Sequence, residues 1–322
     1  MTNPKTTGNS IRVGISSCLL GAKVRYDGNH KLDSFIADTL GRHFEFVPVC
    51  PELAIGMGVP RAPIRLVGQA ASPRAVGVMD PDMDVTDKLH RYGRRMAHEL
   101  SDISGYIFKS KSPSCGMERV KVFPARGGPG IKNGRGVYAA ALMAAQPLLP
   151  TEEEGRLGDP TLRENFIESV FAYRRWQELT ARGVTASRLV EFHARHKLVL
   201  MAHDAIRLRW LGRIIAQTDR ARARETGKRY IEEFMSVLRR PPTRARHSNV
   251  LMHLLGYLKR DLDHADKREL LTLIDRYRRG HLPRAVPLAI LAHHFRRHPH
   301  PYVAGQYYLE PAPEELMLRC GV

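Results

Sequence analysis

Cysteine is scarce in this chain, 4 of 322 residues, which excludes a scaffold built on disulfides. Acidic residues are short as well, 33 Asp and Glu against 51 Lys and Arg, leaving a formal charge of +18. No segment approaches the roughly 18 consecutive apolar residues of a membrane span, and Met1-Thr2-Asn3-Pro4-Lys5 lacks the apolar core of a signal peptide. A soluble cytoplasmic protein with no membrane partner is therefore expected. In a reducing compartment, a few thiols serve metal binding or catalysis better than cross-linking. There is also no CxxC pair, so neither a zinc ribbon nor a ferredoxin spacing is present.

What is present begins with 43% hydrophobic residues, enough for packed cores, in a length that predicts two domains. The basic surplus divides into +8 over residues 1–150 and +10 over 151–322, so neither half is a basic tail. Such a surplus favours phosphorylated ligands or polyanions.

Three cysteines share one local grammar. Ile11-Arg12-Val13-Gly14-Ile15 runs into Ser16-Ser17-Cys18, Phe44-Glu45-Phe46-Val47-Pro48-Val49 into Cys50-Pro51-Glu52, and Tyr106-Ile107-Phe108 into Lys109-Ser110-Lys111-Ser112-Pro113-Ser114-Cys115-Gly116. Each apolar run reads as a strand and each cysteine falls in the turn that follows it. Ile64-Arg65-Leu66-Val67 reads as a further strand. Helices are expected over Asp33 to Leu40, over Thr86 to Leu100 with Thr86 as its cap, and over Gly136 to Leu142. This alternation predicts an α/β domain, residues 1–150, with a mostly parallel sheet. Open sheets of that kind collect ligands beyond the carboxyl ends of their strands, where Cys18, Cys50 and Cys115 can meet. Free amides in the turns, with Lys109 and Lys111, would stabilise thiolates. Small buried hydrophobes are the competing reading of the same cysteines, and topology alone leaves both open.

After Gln146-Pro147-Leu148-Leu149-Pro150 the pattern changes. From Asp159 as cap and Pro160 at the first helical position, residues 151–322 read as an all-α domain with helices near 160–182, 186–203, 219–240, 245–263, 265–279 and 284–297. His193, His196 and His203 fall near one helical stripe, and His247 and His253 on a later one. Without HExxH or a carboxylate at ligand spacing, they read as hydrogen-bonded helix contacts rather than a metal site. Arg220, Arg224 and Lys228 form a basic face, read as solvated, with RNA contact as the alternative. Cys320, near the C-terminal end, reads as an incidental thiol.

Residues 11–145 resemble the thiouracil desulfidase (TudS) family. The resemblance is carried by Ile15-Ser16-Ser17-Cys18-Leu19-Leu20-Gly21 with Val24-Arg25-Tyr26-Asp27-Gly28, by Val49-Cys50-Pro51-Glu52 with Gly58-Val59-Pro60-Arg61, and by the Lys109 to Gly116 segment. It implies a [4Fe-4S] cluster held by Cys18, Cys50 and Cys115 with one iron open, and non-redox removal of sulfur from thiolated uracils as free bases, nucleosides or nucleotides. The open iron would bind the thione sulfur, and Glu52, two residues from Cys50, is the carboxylate placed to activate water, against the competing reading of a solvated loop carboxylate. The resemblance also implies that Ser112 or Ser114 orients substrate or shuttles a proton. Arg25, Tyr26 and Asp27 are candidates for gripping the pyrimidine or an attached phosphate, as are Lys109 and Lys111, although turn and solvated roles compete. From about 160 to 316 the chain resembles the helical YbgA-type domain, through His193-Ala194-Arg195-His196-Lys197, Arg246-His247-Ser248-Asn249-Val250-Leu251 and Gln306-Tyr307-Tyr308-Leu309. Two alternatives stand beside desulfuration: thiolation of a nucleobase in tRNA with the same cluster, and a basic RNA-binding module with a structural metal.

Overall fold

The computed structural model describes residues 10–313 and 316, so Cys320 lies outside the described residues. The chain divides into two compact units, Met1–Phe166 and Ile167–Val322. The first is α/β and the second helical, as the sequence pattern predicts.

In the first unit, strands β1 (Ile11–Ser16), β2 (Phe44–Val49), β5 (Gly105–Phe108) and β8 (Thr151–Glu153) form a parallel sheet in the order β2-β1-β5-β8. The remaining strands, β3 (Ile64–Gln69), β4 (Ser72–Gly77), β6 (Val120–Phe123) and β7 (Ile131–Gly134), build a second sheet in the order β4-β3-β6-β7. Only its β3–β6 pair is parallel. Between β1 and β2 the expected helix is a single π-helical turn, Phe35–Thr39, followed by a 3₁₀ turn, Leu40–Arg42. A short helix α1 (Pro51–Ala54) follows β2, and α2 (Thr86–Glu99) and α3 (Val137–Ala145) are longer. Thr86 does not cap α2. Its hydroxyl instead accepts the Ala75 amide and donates to Asp84, because the hairpin before the helix competes for it.

Strand β5 is buried along its whole length, which is why it reads as a continuous apolar run. Tyr106 stacks on Phe108 at 4.2 Å, and the Tyr138 hydroxyl from α3 donates to that of Tyr106 at 3.2 Å. Gly14 on β1 makes room for this cluster, since a Cβ there would lie 2.3 Å from the Tyr106 ring. The sheet core thereby fixes the relative positions of β1 and β5, and so of the turns they lead into.

The second unit contains most of α4 (Pro160–Ala181), whose start Asp159 caps by accepting the Thr161 and Leu162 amides. It continues through α5 (Ala186–Arg195), α6 (Lys197–His203), α7 (Ala205–Ala216), α8 (Ala223–Leu238), α9 (Arg244–Tyr257), α10 (His264–Arg278), α11 (Ala285–Arg297) and α12 (Pro301–Ala304). The single helix expected over 186–203 breaks at His196. There the ring Nδ1 meets the Phe192 carbonyl at 2.7 Å and competes with the helical ladder. Helix α7 escaped the periodicity because Ile206 is exposed, although Asp204 caps it through the Ile206 and Arg207 amides. Arg220, Arg224 and Lys228 are exposed.

Candidate active site

Three neighbouring parallel strands, β2, β1 and β5, end at one edge of the first sheet, and each continues into a cysteine-bearing turn. Cys18 sits in a 3₁₀ turn, Ser17–Leu20. Cys50 occupies the position before α1, with its thiol 3.7 Å from the Val24 carbonyl. The Cys115 turn is wound by Ser112, whose hydroxyl accepts the amides of Ser114 at 3.2 Å and Cys115 at 3.0 Å. That turn is fastened to the start of α3: the Gly136 amide donates to the Gly116 carbonyl at 2.8 Å, and the Val137 and Ala139 amides donate to Pro113 and Ser114.

All three thiols line a single cavity of about 830 Å³. None is in a disulfide. Burial pushes Cys18 up to about 11, with the Lys109 ammonium pulling the other way. Burial also raises Cys50, offset in part by the Leu53 amide and Arg61, and raises Cys115 well above the usual thiol range, with the Glu52 charge adding to the effect. Burial thus disfavours a lone thiolate at each of the three positions. Among the described residues, no three His, Cys, Asp or Glu side chains converge as ligands of a single ion would.

Glu52 lines the same cavity, and both its oxygens are engaged. Oε1 accepts from the Ser114 hydroxyl at 2.7 Å, and Oε2 from Arg61 Nε at 2.8 Å and Nη2 at 2.7 Å. Ser112 lines the cavity, whereas the fully buried Ser114 reaches it through Glu52. Arg25 and Tyr26 are on the wall, with the Arg25 guanidinium 5.4 Å from the Tyr26 ring centroid. Asp27 is not on the wall. It accepts the Asn29 amide at 3.1 Å within its own turn and lies 3.4 Å from Arg25.

Lys109 and Lys111 both line the cavity, in different states. The Lys109 ammonium donates to Glu154 at 2.5 Å, to the Ser110 carbonyl at 3.0 Å and to the Ser110 hydroxyl at 3.1 Å, which uses its three hydrogens. Lys111 is exposed and adopts a left-handed backbone, φ 61°, unusual for a residue with a side chain. Three neighbours carry no role in the sequence reading: Arg61, Glu154 and Ser16, whose hydroxyl accepts the Lys109 amide at 2.9 Å. Arg61 and Ser16 lie in the Gly58-Val59-Pro60-Arg61 and Ile15-Ser16-Ser17-Cys18 segments that carry the family resemblance. Glu154 follows β8, a strand too short to read.

Three free cysteines lining one cavity at the carboxyl edge of a parallel sheet, with a held carboxylate among them, define a thiol-lined ligand pocket. Residues 13–154 match the 2-thiouracil desulfurase family, and residues 197–313 match DUF1722, a family of unknown function. The chain belongs to the first family by its N-terminal part and to the second by its C-terminal part. It is 32% identical to the uncharacterized protein YbgA of Escherichia coli (strain K12) over 151 residues, 47% of this chain and 89% of that one. It is also 32% identical to the uncharacterized protein YbbK of Bacillus subtilis (strain 168) over 108 residues, 32% of this chain and 71% of that one. Among solved structures, the [4Fe-4S]-dependent thiouracil desulfidase TudS shares 31% identity, covering 46% of this chain and 94% of that chain with a TM-score of 0.37.

Among the described residues, the buried histidines His193, His203 and His247 of the helical unit are engaged by neighbouring polar groups. His193 Nδ1 is 3.2 Å from the Tyr230 hydroxyl, His203 Nδ1 2.9 Å from the Arg240 carbonyl, and His247 Nδ1 2.8 Å from the Tyr308 hydroxyl. These are the helix contacts expected. No helix among the described residues is long and apolar enough to cross a membrane.

Proposed function

We propose that this chain is a [4Fe-4S]-dependent desulfidase acting on thiouracil-type bases, nucleosides or nucleotides, exchanging thione sulfur for water oxygen without net redox change. The observation that carries this reading is the meeting of Cys18, Cys50 and Cys115 with Glu52 at one cavity, inside the residues that match the desulfurase family. Cys18, Cys50 and Cys115 would hold the cluster, which when bound supplies a Lewis-acidic iron for a soft thione sulfur.

The chain's own residues supply the rest. Glu52 accepts a proton from the attacking water, and Ser114, donating to its Oε1, holds the carboxylate and offers a path for that proton. Ser112, its hydroxyl oxygen already accepting two amides, keeps a free hydrogen to donate toward the substrate. Arg25 and Tyr26 supply a cation and a ring face for the pyrimidine. Lys109 contributes its charge to the thiol side of the cavity rather than a free phosphate contact, whereas the exposed Lys111 retains free donors. The balance is C=S plus water giving C=O plus hydrogen sulfide, both water protons ending on sulfur.

The test is anaerobic reconstitution, then incubation with 2-thiouracil, 4-thiouracil and 4-thiouridine monophosphate, following thione absorbance and released sulfide together. Sulfide is expected in step with thione lost over many turnovers. Glu52→Gln should lower kcat at least about 100-fold with iron content unchanged. An iron-loaded chain that leaves every thione intact would rule the proposal out.

A further inference from the structure

Arg61 donates from its backbone amide and from all three guanidinium nitrogens, and the function proposed above assigns it no part. Its side chain is only 5% exposed. Nε and Nη2 both donate to Glu52 Oε2, at 2.8 and 2.7 Å, Nη1 donates to the Gly58 carbonyl at 2.9 Å, and Nη2 also donates to the Val24 carbonyl at 2.9 Å. The Arg61 amide donates to the Tyr26 carbonyl at 2.9 Å. These partners come from three separate segments: the loop after β1, the first turn of α1, and the loop before β3.

Two consequences follow from that geometry. A carboxylate gripped at one oxygen by two prongs of a planar fork cannot spin, so Oε1 is left in one orientation, facing Ser114 Oγ at 2.7 Å. The same Val24 carbonyl that accepts from Arg61 faces the Cys50 thiol at 3.7 Å, so one guanidinium ties the carboxylate to the thiol's immediate surroundings. A buried cation serving only to close loops could be replaced by apolar packing at little cost. The fork on Glu52 could not.

We infer that Arg61 is a positioning residue for the reaction: it fixes the Glu52 carboxylate at the cavity wall so that Oε1 keeps a single geometry against the Ser114 hydroxyl. The inference rests on the desulfidase reading above. A residue that acts through Glu52 loses its importance once Glu52 can no longer take a proton, whereas a merely structural residue does not.

The experiment uses the reconstituted full-length chain with 2-thiouracil, measuring kcat, KM, iron and sulfide content, and the charge-transfer absorbance of each variant. Arg61→Ala is expected to lower kcat about 100-fold and to change KM by less than about threefold, with iron content unchanged. Guanidinium ion at tens of millimolar should restore about tenfold of the lost rate in Arg61→Ala and none in Glu52→Gln. Arg61→Lys, which keeps the charge and loses the fork, should fall between. In the Glu52→Gln background, Arg61→Ala should cost no more than about twofold further.

Wild-type kcat in Arg61→Ala, or a further loss of about 100-fold in the double variant, would overturn the role of Arg61 and leave the desulfidase reading intact. Should Arg61→Ala fail to take up iron, Arg61→Lys and its Glu52→Gln double variant carry the same criterion. A loaded wild-type chain that releases no sulfide from any thiobase overturns the desulfidase reading, and this role with it.

Discussion

Gly136 lacks a side chain because the backbone of the Cys115 turn fills the place where one would stand. A Cβ there would lie 2.5 Å from the Ser114 carbonyl carbon and oxygen and 2.8 Å from the Cys115 amide nitrogen. Backbone atoms cannot swing aside as a side-chain end does, so Gly136→Ala must displace the turn. A cost of about 1–3 kcal/mol is expected, with a lower iron content after reconstitution. Gly256→Ala is the control: nothing lies within 4 Å of a Cβ there, and gaining a better helix former should stabilise the chain by about 0.5–1 kcal/mol. Equal iron content and equal urea midpoints for the two variants would refute the argument. At this scale the sequence shows its thiols readily, since each follows an apolar run by a few residues. It hides their supports. Ser16 meets Lys109 across 93 positions and Ser110 meets Glu154 across 44, and no local pattern announces pairs that only the sheet order brings together.

Elements with a strong period were legible, and those defined by their partners were not. The buried run of β5 and the capped start of α4 follow from composition and turn chemistry alone. Strands β7 and β8 have four and three residues, and β7 carries a mostly exposed Ile-Lys-Asn-Gly. Their status comes from the neighbours they pair with. In the helical unit His193, His196, His203 and His247 make interior hydrogen bonds while His253 is exposed, and burial of the former has a measurable consequence. Burial holds His193 down at about 4 and His196 at about 3, and burial with the nearby Arg284 charge holds His247 lower still. An unfolded chain would protonate each near 6.5. Between the folded and unfolded values the unfolded state binds more protons, so the stability these neutral rings contribute is complete above about pH 6.5 and declines as pH falls below it. From pH 7.5 to pH 5 the loss should be about 2 kcal/mol per histidine, or about 6 kcal/mol for the three together if they titrate independently. Trp176 and Trp210, the two tryptophans of the chain, both lie in this unit, so urea unfolding followed by tryptophan emission reads it selectively. A midpoint that does not move between those pH values would show that the rings titrate normally.

On the scale of the whole molecule, the positive charge is spread over both halves, while every residue lining the thiol cavity lies between Ser16 and Gly155. The first unit also has its own core around β1 and β5, from Val13 and Ile15 to Tyr106 and Phe108. A unit with its own core and with the lining residues of the cavity within it should work without the other. A chain ending at Phe166 is therefore expected to take up iron to the same content as the full chain and to desulfurate free 2-thiouracil with kcat within about threefold of it. Because the second unit carries +13 of the +18 positive surplus, its removal should matter most for polyanionic forms of the substrate, whose encounter is steered by charge and weakened by salt. Comparing the two chains on free 2-thiouracil and on thiouridine carried in RNA, at low and high salt, separates these contributions. If the short chain holds its iron yet loses the free-base activity by more than about thirtyfold, the helical unit supplies part of the chemistry, and a self-sufficient first unit is wrong.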